Sequence, residues 1–324
     1  MLTIGAILLG IVLLIGGGTA LVHGSSQVAT RLGVSPMVVG LTIVAFGTSM
    51  PELVVNVIGV TRGATELAFG NVVGSNIANL ALVLGAAALL RPIDIQGQLV
   101  QRELPLLLLG TAVLTVISMD PFFEGSVAKI SRSDAIVLLL IFGIFLYITT
   151  LDFVRSQGSD PLLANIEANP LLQTESTGRF SAAFVLGGVG LLYVGGEMTV
   201  RHSVILAERL DVSGAIVGLF IVALGTSAPE LVTSVIAAAR RESDLALGNI
   251  VGSNLFNTLL VLPASALLEP VVIPRGGLVD LGVSLVFAFS LIPIFIFGKA
   301  RLGRGVGIAF LLLYATWAIL RVTS

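Results

Sequence analysis

Residues 40–90 and 218–268 align without a gap at a constant offset of 178, and 31 of the 51 pairs are identical. A weaker echo precedes them: Gly17, Gly18, Ala29, Arg31, Leu32, Val34 and Ser35 match Gly195, Gly196, Ala207, Arg209, Leu210, Val212 and Ser213. Self-similarity of this kind means one structural unit used twice, so a fold that suits one half must suit the other.

Composition fixes the medium in which the unit folds. The chain is 56% hydrophobic and 11% charged, with a mean hydropathy of +1.05. Soluble domains carry roughly 25% charged residues. Ten mostly apolar runs approach or exceed the ~18 residues that a membrane helix needs. They lie near 2–22, 36–61, 67–90, 99–119 and 134–151, then 180–200, 214–239, 245–268, 277–297 and 303–320. The first run has no Lys or Arg ahead of it and is too long for a signal peptide's apolar core, so it reads as a membrane helix. Without cysteine there is neither a disulfide framework nor a thiolate metal site. A net charge of −2 without blocks of like charge gives nucleic acid no footing.

The expected fold is an all-α integral membrane protein of ten transmembrane helices in a lipid bilayer. A five-helix repeat occupies 1–152, a polar connection 153–179, and a second five-helix repeat 180–324. Twin helices are five spans apart. Five is odd, so each helix of the second half crosses opposite to its twin: an inverted repeat, which in transporters places substrate at the midplane. Ten Lys and Arg fall in the odd-numbered connections and seven on the other side. This excess puts the central connection in the cytoplasm and both termini outside a plasma membrane.

Two charged residues sit deep in these spans, and they are twins: Glu52 and Glu230. A carboxylate at the bilayer centre costs about 2.5 kcal/mol or more. No Lys or Arg shares their depth, so a bound cation is the simplest compensator. Each Glu ends a Gly-Thr-Ser-x-Pro-Glu string, at 47–52 and 225–230. The proline removes an N–H and clashes with the carbonyl four residues back, so the second and seventh helices are expected to break there. Carbonyls near Ala45 to Thr48 and Ala223 to Thr226 are then expected to turn toward a site, the one setting in which irregular backbone is tolerated at membrane depth. The hydroxyls of Thr48 and Ser49 share the carboxylate's face.

The next helix of each half carries Gly-Asn-x-Val-Gly-Ser-Asn-x-x-Asn. Asn71, Ser75 and Asn79 recur every four residues, as do Asn249, Ser253 and Asn257, giving a polar stripe on an apolar helix. Gly70, Gly74, Gly248 and Gly252 suit close helix packing. Ser75 and Ser253 read as ligands, whereas Asn71, Asn76, Asn249 and Asn254 stay open between ligation and inter-helix hydrogen bonding. Carboxylate, hydroxyl, amide and carbonyl oxygens suit Ca²⁺ and Na⁺ and disfavour zinc or copper. Two carboxylates balance one Ca²⁺ or two Na⁺. A competing reading of Ser49-x-x-Glu52 is a capping box that only starts the following helix. Glu197 reads as structural or peripheral, and Tyr314 and Trp317 as interfacial-belt residues.

At these strings the chain resembles the cation/calcium antiporter superfamily, in its prokaryotic sodium/calcium exchanger branch. The resemblance implies a secondary antiporter, not an enzyme, that carries Ca²⁺ and Na⁺ and needs no cofactor. It implies alternating access, with the first and sixth helices sliding against the other eight. It also implies that Glu52 and Glu230 bind Ca²⁺ with the carbonyls of Thr48 and Thr226. These four, with Ala45, Ser49, Ser75, Asn79, Ala223, Ser227, Ser253 and Asn257, would form the sodium sites. Proton/calcium relatives carry a Glu where Gly74 and Gly252 stand, and potassium-dependent relatives an Asp where Asn257 stands. The alternative is a proton/calcium exchanger or an exchanger of another divalent cation.

Overall fold

The computed structural model describes residues 2–95, 97, 99–119, 128–156, 178–209, 226–297 and 301–323. Most of the polar connection and the segment 210–225, which holds Ala223, lie outside them. The helices are α1 (Leu2–Leu32), α2 (Pro36–Thr48), α3 (Met50–Thr61), α4 (Thr65–Leu90), α5 (Leu99–Ile117), α6 (Arg132–Ser156), α7 (Gly178–Arg209), α8 (Ala228–Ala239), α9 (Ser243–Leu268), α10 (Gly277–Phe297) and α11 (Arg304–Thr323). Eight of these are long and apolar enough to cross a membrane singly. A ninth span results if α2 and α3, bent by 41° at Ser49, are taken together. The chain is an all-α, multi-pass integral membrane protein.

Several helices outrun the apolar stretches that announce them. α1 continues to Leu32 rather than stopping near 22, which makes it about 46 Å long. Hydropathy marks where the chain leaves the hydrocarbon, not where the helix stops. The hydroxyls of Ser26 and Thr30 turn back onto the carbonyls of Val22 and Ser26, each at 3.0 Å, so these polar residues are satisfied inside the helix. The end comes at Gly33, whose φ of +65° lets the N–H of Val34 return to the Ala29 carbonyl at 3.1 Å.

α1 and α7 pack along their length through glycine. A Cβ built on Gly17 would lie 2.8 Å from the Gly188 carbonyl oxygen, and one on Gly195 would lie 2.8 Å from that of Gly10. Any side chain there would drive the helices apart. This pair has its own apolar cluster (Leu14, Leu21, Val22, Val185 and Leu192), shared with the faces of α2, α8 and α9 that it rests on. A second and larger cluster joins α4, α5, α6, α9, α10 and α11.

Two short ribbons tie the helix ends. β1 (Ile93–Asp94) pairs antiparallel with β4 (Arg301–Leu302), and β2 (Lys129–Ile130) pairs with β3 (Val271–Val272). β1 and β3 stand 178 residues apart, at twin positions.

Candidate functional site

α2 ends at Thr48 because Pro51 has no N–H to offer Gly47. Ser49 takes φ −86° and ψ 1°, and α3 starts at Met50. In the other half, Ser227 takes φ −85° and ψ 5° before α8. The break is a bend rather than an unwound turn. The N–H of Ser49 still reaches the Ala45 carbonyl at 3.0 Å, and Thr48 Oγ1 lies 3.4 Å from it. Ala45 is therefore buried with its carbonyl engaged, contrary to the expectation of an oxygen swung free, and Gly47 is the residue that loses its helical donor.

Each break places its glutamate in the first turn of the following helix. Glu52 and Glu230 are both 0% exposed. Glu230 Oε1 accepts from Ser49 at 3.2 Å and from Ser253 at 3.5 Å. Its Oε2 and both oxygens of Glu52 have no hydrogen-bond partner among the described residues. The capping box is absent: neither Ser49 nor Ser227 makes a side-chain cap bond. Instead Ser49 crosses to Glu230, and Ser227 Oγ meets Ser75 Oγ at 3.1 Å. Both serines reach into the opposite half.

The polar stripes of α4 and α9 face the same region. Asn79 Nδ2 donates to Asn254 Oδ1 at 3.3 Å, and Asn76 Nδ2 to Thr258 Oγ1 at 2.8 Å. Asn257 uses neither end of its amide among the described residues, and Oδ1 of Asn76 and Asn79 is also unpartnered. Here both helices loosen into π-helical turns, Ala78–Val83 and Asn257–Val261, a distortion frequent at functional sites and silent in the sequence. α9 presses its glycines against α2: a Cβ on Gly248 would lie 2.6 Å from the Met37 carbonyl oxygen, and one on Gly252 2.8 Å from that of Leu41. Gly70 and Gly74 meet no described residue within 4 Å.

Thus Thr48, Ser49, Glu52, Ser75, Asn79, Ser227, Glu230, Ser253 and Asn257 are all buried, with Thr226 half-buried at the edge. Of the expected set, Ala223 alone lies outside the described residues. A buried polar atom without a partner demands an explanation. Here the unpartnered atoms include oxygens of Glu52, Glu230, Asn76, Asn79 and Asn257. Oxygen acceptors around two carboxylates, with no cationic side chain in their hydrogen bonds, have the chemistry of a hard-cation site.

A cavity of about 330 Å³ leads toward this region between α3 and α7. Thr226 and Pro229 line it on the site side, and Tyr193, Glu197 and Arg201 toward the end of α7. Glu197, read from sequence as structural or peripheral, lies on its wall. Sequence reasoning also missed Asp280, buried at the start of α10, where Arg321 pairs with it at 2.9 Å and Trp317 Nε1 donates to it at 3.0 Å. Trp317 therefore holds a carboxylate rather than simply marking an interface. An acid in the first turn of one span and a base at the end of the next was the signal available.

The chain matches the family model described as sodium/calcium exchanger protein over residues 2–151 and 180–323. It is 35% identical to a putative antiporter, CaxA, of Alkalimonas amylolytica, over 84% of this chain and 82% of that one. It is 30% identical to the sodium/calcium exchanger MaX1 of Methanosarcina acetivorans, over 97% and 96%. Among solved structures, the sodium-calcium exchanger NCX_Mj superposes with a TM-score of 0.82 at 31% identity, covering 97% of each chain. By these matches the chain is a member of the sodium/calcium exchanger family.

Proposed function

We propose that the protein exchanges Na⁺ for Ca²⁺ across the plasma membrane by alternating access at a midplane site between two inverted five-helix repeats. The observation that carries this reading is the pair of twin glutamates, wholly buried, three of whose four carboxylate oxygens have no partner among the described residues. Two charges at that depth need compensation. One Ca²⁺ or two Na⁺ supply it equally, and that equality is what an exchanger uses. Ca²⁺ between the carboxylates would draw on the carbonyls of Thr48 and Thr226. Na⁺ would draw on the hydroxyls of Ser49, Ser75, Ser227 and Ser253 and the amides of Asn79 and Asn257.

The ribbons support ten crossings. Paired strands lie about 4.8 Å apart, against a hydrocarbon core of about 30 Å, so both strands of a ribbon sit on one side of the membrane. Between β2 and β3 lie α6, α7 and α9, three long helices. An even number of crossings suits a ribbon on one side, which supports reading the apolar run 214–239 as the fourth. The same parity follows between β1 and β4, where five long helices and that stretch make six. On that reading the bent α2–α3 span and the run that ends in α8 are five crossings apart, as the proposed inverted repeat requires.

Glu52→Gln and Glu230→Gln test the reading. Each removes one charge while keeping volume, and leaves Ca²⁺ at low dielectric with half its compensation. The expected outcome is an inserted, folded protein whose calcium flux in proteoliposomes falls at least a hundredfold, by order of magnitude. Near-normal flux in either variant would make the pair structural.

A further inference from the structure

Asn71 and Asn249 begin the two polar stripes, and the structure treats them alike. Asn249, fully buried, accepts from Thr48 Oγ1 at 3.1 Å and donates from Nδ2 to Ser234 Oγ at 2.9 Å. Asn71 accepts from Thr226 Oγ1 at 3.2 Å and donates to Asn56 Oδ1 at 2.7 Å. The partners are twins at the offset of 178: Thr48 with Thr226, Asn56 with Ser234. Asn56 Nδ2 in turn donates to the Ala68 carbonyl at 3.0 Å, which fixes the amide orientations on that side.

Each asparagine joins elements of opposite ownership. One end holds the threonine at the other half's helix break. The opposite end holds a residue one helical turn past the glutamate of its own half, since Ser234 follows Glu230 and Asn56 follows Glu52 by four. Both ends of each amide are bonded to protein groups on two different elements.

We propose that Asn71 and Asn249 are cross-braces: positioning residues that set the spacing between the break at Thr48 and the Glu230-bearing α8, and between Thr226 and the Glu52-bearing α3, and thereby the size of cation accepted. This rests on the reading of Glu52 and Glu230 as the cation site. A planar amide bonded at both ends holds a fixed span, and groups that orient ligands from behind commonly change metal affinity 10–100-fold when lost. A braced array resists expansion, so its loss should cost Ca²⁺ more than the larger Sr²⁺.

The test uses the full-length protein in proteoliposomes, with competing Ca²⁺ and Sr²⁺. Thr48→Val removes the hydroxyl but keeps the backbone carbonyl, and Asn249→Leu removes the brace itself. Each should weaken apparent Ca²⁺ affinity about tenfold and Sr²⁺ affinity less, with Thr48→Ser restoring both. The double variant Thr48→Val/Asn249→Leu should be no worse than either single one, whereas Thr48→Val/Asn71→Leu, which cuts both braces, should be additive. Should Asn249→Leu fail to insert, Thr48→Val alone and Thr226→Val alone carry the Ca²⁺/Sr²⁺ comparison. Equal losses for both cations, or additivity within the Thr48/Asn249 pair, would overturn the brace. Failure of the underlying reading shows separately, as calcium flux that survives Glu52→Gln.

Discussion

The two glutamates were legible in sequence because an acid at membrane depth is too costly to be incidental. Their hydroxyl and amide neighbours were legible because a polar stripe on an apolar helix has few other uses. The departures from repeat symmetry were not. Asn79 Nδ2 donates to Asn254 Oδ1, but the twin contact from Asn257 to Asn76 is missing, and Asn76 Nδ2 donates to Thr258. Thr258 stands where the first half has Leu80. A threonine in an apolar helix usually bonds its own backbone, so nothing in the sequence singled it out. Asn257 is left as a neutral oxygen donor without a partner among the described residues. Asn257→Asp should therefore add fixed charge to the site, bind Na⁺ and protons more tightly, and slow turnover by hindering release. The measurement is the Na⁺ half-saturation and maximal rate of calcium flux. Unchanged values for both would place Asn257 outside the ion path.

At the scale of elements, hydropathy located the spans but not the helix ends, since α1 and α7 run on past the apolar stretches to Leu32 and Arg209. Proline located the breaks, while the persistence of the Ala45–Ser49 hydrogen bond made the first a bend rather than an opened turn. The π-helical turns in α4 and α9 have no sequence signature here. Turn geometry was obscured for another reason. The α3–α4 turn uses Gly63 at φ +78°, and the α8–α9 turn puts Arg241 at φ +70° with matching backbone bonds. A residue with a Cβ pays roughly 1–2 kcal/mol for that conformation, so Arg241, which is exposed, carries strain that its twin avoids. Arg241→Gly should stabilise the protein by about 0.5–1 kcal/mol after the added chain entropy is counted. Gly63→Ala should destabilise it by a similar amount. Thermal denaturation in detergent reads both, and a lower midpoint for Arg241→Gly would show that its side chain has compensating contacts.

At the scale of the whole molecule, hydropathy made the all-α membrane class legible, but not how the helices group into two packed bodies. The α1–α7 pair, joined through glycine, rests with its own apolar cluster on α2, α8 and α9. At one end the cavity separates α7 from α3. At the other, Ser26 of α1 bonds to Glu242 just before α9, and Ser181 of α7 to Gln27 of α1 at 2.8 Å. One end carries the cavity, and at the other a single one of these bonds, Ser26 to Glu242, joins the pair to the bundle. On the proposed alternating-access reading, sliding the pair along the bundle would exchange these conditions.

The most direct measurement is calcium uptake by proteoliposomes loaded with Na⁺ and diluted into Na⁺-free medium, with choline replacing K⁺ on both sides, beside vesicles given only a proton gradient. With the fixed charge resting on Glu52 and Glu230 alone, the sodium gradient should drive uptake without potassium and the proton gradient should not. Uptake driven by protons alone, or lost when potassium is removed, would contradict the account.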